Sequence, residues 1–494
     1  MATPELLQHQ KQPNRSGDRA AQDACAGEVA GPAVSPWPGP TEGQSASSST
    51  PSSSIAGDAA SMLAAQLVTM AAGLAASIVL ARLLGPTGRG LFALVTLWVS
   101  LFALAVPLSS GYGLVYEVRQ SRLPLDRALS AVLGLALAFG VPAVVLAVAA
   151  GWVFSFSFLG GVPLAYIVIG ALGLPAAIFN ALAGLVLTAA GRVRQASIIS
   201  AMGSVGTVVL LAVFLFGLRL GVWGAMLATC LAACAAALLL LVWLRRFFRA
   251  RLLVHRALWT SAIRFGSKLH AGTIAQWLNY SLDRFLLNIF LGPAAVGIYA
   301  VAAGLGERLW MLPNAVGASL LSRTGGDARD DAEVTARACR NTLWLMGATS
   351  AVVGALAPTL IPALFGRDFA PAVPVLLLLL PGVFILTVGK VIAPFVCNRG
   401  RPTIATYISV GALGLTLALN LLLIPALGIA GAALASSISY SANGLAFAVV
   451  FLRMSGLPAR QLLRAPDLAI SLLGAQGRKL LSAGLAKVCY DRSL

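Results

Sequence analysis

Four charged residues lie within long apolar stretches of this chain, where a charge is costly to bury. They form two adjacent pairs, Asp283-Arg284 and Glu307-Arg308, within residues 265–322. A charged side chain at the centre of a membrane helix costs on the order of 2.5–3.5 kcal/mol on insertion scales, so it faces a partner or a wet cavity. The pairs predict either ion pairs that hold two helices together or a site that handles an ionic substrate or a coupling ion.

Neutral polar residues extend the first pair into a stripe. Thr273, Gln276, Tyr280 and Asp283 recur at helical spacing, and Asn288 follows about one turn later. A polar stripe on an otherwise apolar membrane helix is typical of the wall of a water-filled cavity. Gln276 and Tyr280 are therefore predicted to bind substrate, together with the two arginines of the charged pairs.

Three further residues are candidates for the same cavity. Asn314 follows Glu307 by seven residues, which places both on one face of a helix. Lys390 is a lone cation in another apolar run, and it either lines the cavity or snorkels to lipid headgroups. Arg82 and Arg89 bracket a turn after the first apolar run. Both suit interfacial anchoring, and Arg82 is also a candidate for substrate binding.

The composition requires a membrane-embedded fold. Of 494 residues, 58% are apolar and 11% are charged, and the mean hydropathy is +0.86. The apolar runs show no alternation, which argues against a β-barrel. The formal charge of +18 sits mostly on arginines in short loops between these runs. The positive-inside rule explains this pattern better than nucleic-acid binding, so no nucleic-acid partner is predicted.

Counting the uncharged runs predicts twelve membrane crossings, six in each half of the chain, and hence an all-α integral membrane protein. Residues 59–81, 90–116, 195–218, 220–244, 341–366 and 369–398 supply one crossing each, and residues 128–191, 265–322 and 402–452 supply two each. The charged pairs fall in the seventh and eighth predicted crossings, which meet at Gly292-Pro293.

Three sequence matches recur in the same order in the two halves. Residues 84–93, 220–225 and 191–192 match residues 291–300, 427–432 and 400–401 at shifts of 207, 207 and 209 positions. Both ten-residue copies read Leu-Gly-Pro, three variable residues, Gly, an aliphatic residue, an aromatic residue and Ala. An even number of crossings per copy predicts two parallel six-helix repeats, which form a two-lobed transporter around a central site.

Loop charge predicts the orientation. With the N-terminus inside, seventeen arginines fall in inner loops and only four, Arg82, Arg89, Arg219 and Arg367, fall in outer loops, so both termini are predicted to be cytoplasmic. Lys268, near the inner end of the seventh crossing, is expected to snorkel. The predicted parts are a disordered cytoplasmic tail (1–57), the first lobe (58–244), a basic cytoplasmic linker (245–263), the second lobe (264–453) and a basic cytoplasmic tail (454–494).

No cofactor, metal site or catalytic residue is predicted. His9, His255 and His270 form no metal-ligand cluster, and the six cysteines show no zinc-type spacing. The sequence also has no Gly-rich phosphate loop and no plausible pairing of a nucleophile with a base.

Several short motifs carry a family resemblance. They are Leu80 to Pro86 with Gly90-Leu91-Phe92, Asp283-Arg284-Phe285 with Leu291-Gly292-Pro293 and Gly297-Ile298-Tyr299, Gly184-Leu185 with Gly191-Arg192, and Asn398 to Arg401. On these motifs, residues 58–453 resemble the bacterial oligosaccharide (polysaccharide) flippase family. That family belongs to the multidrug/oligosaccharidyl-lipid/polysaccharide exporter superfamily.

The resemblance implies a V-shaped pair of lobes around a cavity lined by crossings 1, 2, 7 and 8. It implies a protein of the bacterial cytoplasmic membrane that moves undecaprenyl-pyrophosphate-linked sugars, often driven by an ion gradient. Membrane lipids, a polysaccharide polymerase and glycosyltransferases are the further partners it implies. Arg284 and Arg308 suit a pyrophosphate, which needs cationic and preferably bidentate donors. Asp283 and Glu307 are the candidates for ion coupling, with Glu307 nearer the predicted bilayer centre.

Two other functions stay open at this point. A drug/cation antiporter of the same superfamily should have an acidic, aromatic cavity, whereas cations balance the acids here. A membrane-embedded polysaccharide polymerase or ligase usually has a large outer loop with catalytic carboxylates or histidines. The longest predicted outer connections, near 157–163 and 367–373, are short and nearly uncharged.

Overall fold

A computed structural model describes residues 52–120, 123–247, 256–323 and 328–463, which contain fifteen α-helices and no β-strand. The helices are α1 (Ser52–Ala105), α2 (Ser110–Gln120), α3 (Leu125–Val153), α4 (Leu164–Leu172), α5 (Leu174–Ala189), α6 (Val193–Ala212), α7 (Gly221–Phe247), α8 (Arg256–Leu291), α9 (Pro293–Leu309), α10 (Met311–Arg323), α11 (Ala328–Phe365), α12 (Ala372–Asn398), α13 (Pro402–Leu427), α14 (Ile429–Ser455) and α15 (Arg460–Leu463). Most of the predicted tails, and residues 248–255 of the predicted linker, lie outside these residues.

The described part of the chain is an all-helical membrane protein. Nine of its helical segments are long and apolar enough to cross a membrane, and α4 with α5, bent by 41°, supplies a tenth. Helix α8 is 36 residues long but is not among the nine, because its charged and polar side chains make it less apolar. Helix α1 counts once, although Gly85 divides it into two helical segments.

Glycines with positive φ form three of the predicted turns between helices. Gly85, Gly292 and Gly428 have φ values of 64°, 78° and 61°, a left-handed region that glycine adopts without a steric penalty. Pro86 and Pro293 follow directly and start the next helical segment, where proline's missing N–H is tolerated. Each Leu-Gly-Pro motif therefore ends one helix and begins the next.

One predicted crossing is interrupted. Residues 90–116 form a single uncharged run, but α1 ends at Ala105 and α2 begins at Ser110. Pro107 cannot donate the helical hydrogen bond, and Leu108 and Ser109 follow with φ values of 50° and 54°. Hydropathy does not reveal this break, because the run is apolar on both sides of it.

The break directs α2 onto the first part of α8. A Cβ atom on Gly113 would lie 2.2 Å from the carbonyl oxygen of Ala262, and one on Gly266 would lie 2.5 Å from that of Ser109. Only glycine allows backbones to approach this closely. Helices from the two halves of the chain are therefore in direct backbone contact at this end of the bundle.

The largest buried apolar cluster also joins the two halves. It combines α1 side chains such as Leu94 with Leu287 of α8, Val296 of α9 and Leu376 of α12. Two smaller clusters lie around Leu129 of α3, where Ala262 of α8 also takes part, and around Phe395 of α12. The contact between α1 and α9 is therefore part of the main core.

The two Leu-Gly-Pro motifs meet in a reciprocal contact between α1 and α9. A Cβ atom on Gly90 would lie 1.7 Å from the carbonyl oxygen of Pro293, and one on Gly297 would lie 1.9 Å from that of Pro86. Equivalent positions of the duplicated motif thus face each other. The glycine of each copy is needed because the backbone of the other copy fills the space that a side chain would occupy.

We expect Gly297→Ala to destabilise the protein, because the new methyl group must displace backbone atoms. Overpacking of this kind typically costs about 1–3 kcal/mol, so the midpoint of thermal unfolding in detergent should fall. Gly206→Ala is the matched control, since a Cβ atom on Gly206 meets nothing within 4 Å. Equal unfolding midpoints for the two variants would show that α1 and α9 pack more loosely than these distances indicate.

Candidate functional site

Arg284 and Glu307 form an ion pair between α8 and α9. The Gly292 turn joins these two helices and lets them pack side by side. Nη2 of Arg284 donates to the Glu307 carboxylate and to the Tyr280 carbonyl oxygen, the latter at 3.2 Å. The Arg284 side chain is 12% exposed and that of Glu307 is 37% exposed. Glu307 is therefore the partner that reaches the open side of the pair.

Asp283 lies in a closed polar pocket instead. Its side chain is 1% exposed, and its carboxylate accepts hydrogen bonds from the Tyr299 hydroxyl, from the Ser436 hydroxyl at 3.2 Å and from the Arg284 backbone N–H at 2.8 Å. Charge-assisted hydrogen bonds of this kind stabilise a buried carboxylate. The two predicted coupling acids, Asp283 and Glu307, therefore have different environments.

Arg308 connects the two halves of the chain. Its guanidinium donates to the Gly304 carbonyl oxygen at 2.5 Å, within α9, and to the Gly73 carbonyl oxygen of α1 at 2.8 Å. Within the described residues, these hydrogen-bond acceptors are neutral backbone groups rather than carboxylates. The positive charge of Arg308 is therefore not cancelled by a hydrogen-bonded acid.

Arg89 joins these groups from the first half. It lies close enough to Arg284, Arg308 and Glu307 to interact with their charges. Its guanidinium is 5.7 Å from the ring centroid of Phe92, and its buried Nε has no hydrogen-bond partner among the described residues. The sequence favours an interfacial anchor at this position. The structure differs because the turn at Gly85 is so short that Arg89 already lies in the next helical segment and faces inward.

Lys390 of α12 sits among aromatic rings. Its Nζ is 5.0 Å from the ring centroid of Tyr280 and 4.5 Å from that of Trp310, and it lies 3.3 Å from Oδ1 of Asn314. Tyr440 packs against both rings, at centroid distances of 5.6 and 5.4 Å. Cation–π contacts hold the ammonium group at this position. Of the two interpretations of Lys390, the geometry favours the site residue over snorkelling.

The predicted polar stripe on α8 divides between two places. Gln276 lies 3.3 Å from the Tyr280 hydroxyl and so belongs to the aromatic group around Lys390. Asn288 instead donates to the carbonyl oxygens of Phe158 and Gly160, at 3.1 and 3.0 Å. It therefore ties α8 to the connection between α3 and α4.

Among the residues predicted to bind substrate, Arg82 is the one that the structure places away from the charged and aromatic side chains around Arg284 and Lys390. It is exposed, and its guanidinium donates to the carbonyl oxygens of Ala363 and Leu364, the latter at 2.8 Å. These carbonyls belong to the last turn of α11, where helical acceptors lack intrahelical partners and favour cations. Arg82 therefore stabilises a helix end.

The side chains described above form one charge cluster with an excess of positive charge. Four cations (Arg89, Arg284, Arg308 and Lys390) lie with two acids (Asp283 and Glu307). Glu307 is the acid on the open side, and the enclosed Asp283 lies 4.0 Å from Nε of Arg284, so two positive charges remain in excess. A positive, partly dehydrated site of this kind attracts anions.

The sequence did not identify Tyr299, Ser436, Trp310 and Tyr440 as parts of the site. Tyr299 does belong to the duplicated motif, where a polar aromatic residue in a buried run was an available signal. Trp310 lies two residues after the charged pair Glu307-Arg308. Ser436 and Tyr440 are separated from Asp283 by more than 150 residues, so no local pattern connects them.

Several solved structures share the fold of this chain at low sequence identity. The chain is similar to a multidrug resistance MATE family transporter of the MOP superfamily in an inward-facing conformation (TM-score 0.65, 18% identity, 78% of this chain and 95% of that chain). It is also similar to the lipid II flippase MurJ in an inward closed conformation (TM-score 0.65, 11% identity, 81% of this chain and 90% of that chain). A third similar structure is that of a MOP superfamily transporter from Pyrococcus furiosus with a binding pocket of reverse polarity (TM-score 0.59, 18% identity, 82% of this chain and 95% of that chain). The fold is that of a MOP-superfamily transporter.

A sequence model of one family identifies this chain more narrowly than its fold does. The model of the polysaccharide biosynthesis protein family matches residues 79–374, and the chain belongs to that family. The resemblance to a polysaccharide family is thereby confirmed for the family, and the solved structures add that the fold is shared. A comparison with curated proteins gave no match.

Proposed function

We propose that this protein is a flippase for an undecaprenyl-pyrophosphate-linked oligosaccharide. It moves this lipid across the bacterial cytoplasmic membrane, by alternating access, for synthesis of envelope or extracellular polysaccharide. The observation that carries the proposal is the net positive charge cluster inside a member of a polysaccharide biosynthesis family. A pyrophosphate carries several negative charges, and guanidinium groups bind its oxygens in bidentate geometry.

The proposed architecture has twelve crossings in two parallel six-helix repeats. The break at Gly85 within α1 and the length of α8 support two crossings beyond the ten counted by length and composition. The reciprocal contacts of Gly90 with Pro293 and of Gly297 with Pro86 support the repeat, because equivalent positions of a duplicated unit meet about a shared axis. The charge cluster then lies between the two copies.

The contact between Arg308 and the Gly73 carbonyl provides a link from substrate binding to movement. A pyrophosphate oxygen is a stronger acceptor for a guanidinium than a neutral carbonyl. A substrate that engages Arg308 therefore replaces the hydrogen bond to α1 and removes one connection between the halves. A ligand can shift a conformational equilibrium only through such differential contacts.

The aromatic group around Lys390 argues against the drug/cation antiporter. Tyr280, Trp310 and Tyr440 form the kind of cage that binds an organic cation. Here the ammonium of Lys390 already occupies the faces of two of these rings. A cationic substrate would have to displace it and would meet the neighbouring arginines.

Depletion of the protein in its native host tests the proposed function. We expect lipid-linked oligosaccharide to accumulate in the inner leaflet and exported polysaccharide to disappear, with both effects reversed by the wild-type gene. Membrane localisation of glycosyltransferases should not change. Undiminished polysaccharide with raised sensitivity to cationic dyes would contradict the proposal and favour the antiporter.

A further inference from the structure

A cavity lies near the start of α8, away from the charge cluster. Its volume is about 510 Å³, and six side chains of one helix face line it: Ala257, Thr260, Ser261, Arg264, Phe265 and Lys268. Lys268 and Arg284 are sixteen residues apart on one continuous helix, which corresponds to about 24 Å of rise. The hydrocarbon core of a bilayer is about 30 Å thick. The two sites are therefore at different depths, and this one is at the end predicted to face the cytoplasm.

Two cations in this cavity have no acidic partner. Arg264 and Lys268 are exposed, they are one helical turn apart, and neither makes an ion pair or a side-chain hydrogen bond within the described residues. Two other arginines, Arg284 and Arg399, differ in this respect. Arg284 pairs with Glu307 in the charge cluster, and Arg399 pairs with Asp331 at 2.8 Å. Arg264 and Lys268 are thus available to a ligand.

The wall that carries these cations is held in place by α2. The Phe265 ring stacks on Tyr116 with a centroid distance of 4.7 Å and an interplanar angle of 19°. Ser261 donates to the Glu117 carboxylate, which also belongs to α2. The ring stacking of Phe265 and the backbone contacts at Gly113 and Gly266 fix the rotation of α8 without requiring the Ser261 side chain. The cations therefore lie on a helix face of fixed orientation that also carries an aromatic side chain.

We propose that this cavity is a loading site for the phosphate groups of a polyprenyl-pyrophosphate lipid. The inference rests on the proposed function, because it places the substrate here before it reaches the charge cluster. Lipid phosphates lie at the membrane surface, which is the level expected for Arg264 and Lys268. Two unpaired cations one turn apart suit a group with two linked phosphates better than a single phosphodiester. The sequence alone predicts that Lys268 snorkels to the lipid headgroups. Snorkelling explains the depth of this cation, but it does not explain the cavity beside it.

Photo-crosslinking tests the site directly. A benzoylphenylalanine is placed at Ser261, which lines the cavity, or at Ser267, an exposed serine of the same helix that does not. The probe is radiolabelled undecaprenyl pyrophosphate in phosphatidylcholine vesicles, with phosphatidylglycerol as the competing anionic lipid. We expect labelling at 261 and not at 267, and little competition by phosphatidylglycerol. Equal labelling at both positions, or full competition, would show ordinary headgroup binding and overturn the proposal.

Charge variants give the second measurement. The double variant Arg264→Gln/Lys268→Gln should lower labelling at 261 at least about tenfold, since it removes two charge-assisted hydrogen bonds to the phosphates. Arg256→Gln is the control, because Arg256 is an exposed arginine of α8 outside the cavity lining. In transport, the double variant should raise the half-saturating substrate concentration about tenfold and leave the maximal rate unchanged. Unchanged labelling in the double variant would overturn the site.

The failure of this site and the failure of the proposed function give different results. A wild-type protein that is labelled at 261 but moves no lipid-linked oligosaccharide would retain the loading site and refute the flippase. A wild-type protein that moves the oligosaccharide without labelling at 261 would retain the flippase and refute the loading site. Arg284→Ala, which removes a residue of the charge cluster, should keep the labelling and lose transport.

Discussion

Replacing Arg284 or Arg308 with alanine is expected to abolish polysaccharide export while the protein stays at its normal level in the membrane. Arg284 donates to Glu307, and Arg308 donates to the Gly73 carbonyl across the two halves. Each substitution removes a cation that we propose to hold the pyrophosphate. Removing Arg284 also leaves Glu307 without its partner on the open side of the site. Complementation of a deletion strain, with immunoblotting of membranes, measures both quantities.

Arg453→Ala is the control for this experiment. Arg453 is exposed near the end of α14, and no site residue contacts it among the hydrogen bonds and ion pairs of the described residues. It should complement fully. Full complementation by both Arg284→Ala and Arg308→Ala would mean that the cluster only holds helices together. Loss of both proteins from the membrane would also favour that structural role.

A charge exchange separates the two interpretations further. The double variant Asp283→Arg/Arg284→Asp keeps both charges but moves the cation to the enclosed position between Tyr299 and Ser436. A site that must present a cation to a substrate should stay inactive after this exchange. Restored export in the double variant would indicate a simple ion pair.

Glu307→Gln is expected to uncouple transport from the ion gradient. Glu307 is 37% exposed and Asp283 is 1% exposed, so only Glu307 can exchange an ion with water without opening the helix packing. We propose that Glu307 binds and releases H⁺ or Na⁺ as the halves move, alternating with its pairing to Arg284. The variant should flip a lipid-linked oligosaccharide slowly and at the same rate with and without a gradient. Wild type should be accelerated by the gradient.

Tyr299→Phe provides a comparison at the other acid. It removes one hydrogen bond to Asp283 within the enclosed pocket and should lower stability while leaving the acceleration by a gradient intact. If wild-type transport is indifferent to both proton and sodium gradients, Glu307 and Asp283 act only as counter-charges for the arginines. If Tyr299→Phe alone abolishes the acceleration, Asp283 is the coupling acid.

The helix boundaries could be predicted from the sequence because their signals are local. The turns at Gly85, Gly292 and Gly428 are each marked by a glycine at the end of an apolar run, and the first two by a proline as well. The break at residues 106–109 was missed, since Pro107 alone in an apolar run does not show whether a helix bends or stops. The break at Trp310, two residues after the second charged pair, was also missed: α9 ends at Leu309 and α10 begins at Met311.

The roles of single residues in the site depended on tertiary contacts that sequence spacing does not contain. Asp283 and Glu307 look alike as acids next to arginines, but the Tyr299 and Ser436 hydroxyls enclose only Asp283. Arg82 and Arg89 flank the same turn, and the helical phase after Gly85 decides which of them faces the interior. The stripe on α8 predicted that Gln276 and Tyr280 share a helix face, and the structure places their side chains 3.3 Å apart, because helical periodicity is a local property.

Movement of a lipid-linked oligosaccharide by the purified protein tests the central claim most directly. Vesicles with an undecaprenyl-pyrophosphate-linked oligosaccharide in both leaflets are treated with a membrane-impermeant sugar-oxidising reagent. The reagent modifies only the outer leaflet unless lipid is exchanged between leaflets. We expect vesicles with wild-type protein to lose the protected fraction over time, and vesicles with Arg284→Ala/Arg308→Ala protein to keep it, as empty vesicles do. Retention of the protected fraction by wild-type vesicles, or equal loss in wild-type and variant vesicles, would contradict a flippase that works through this charge cluster.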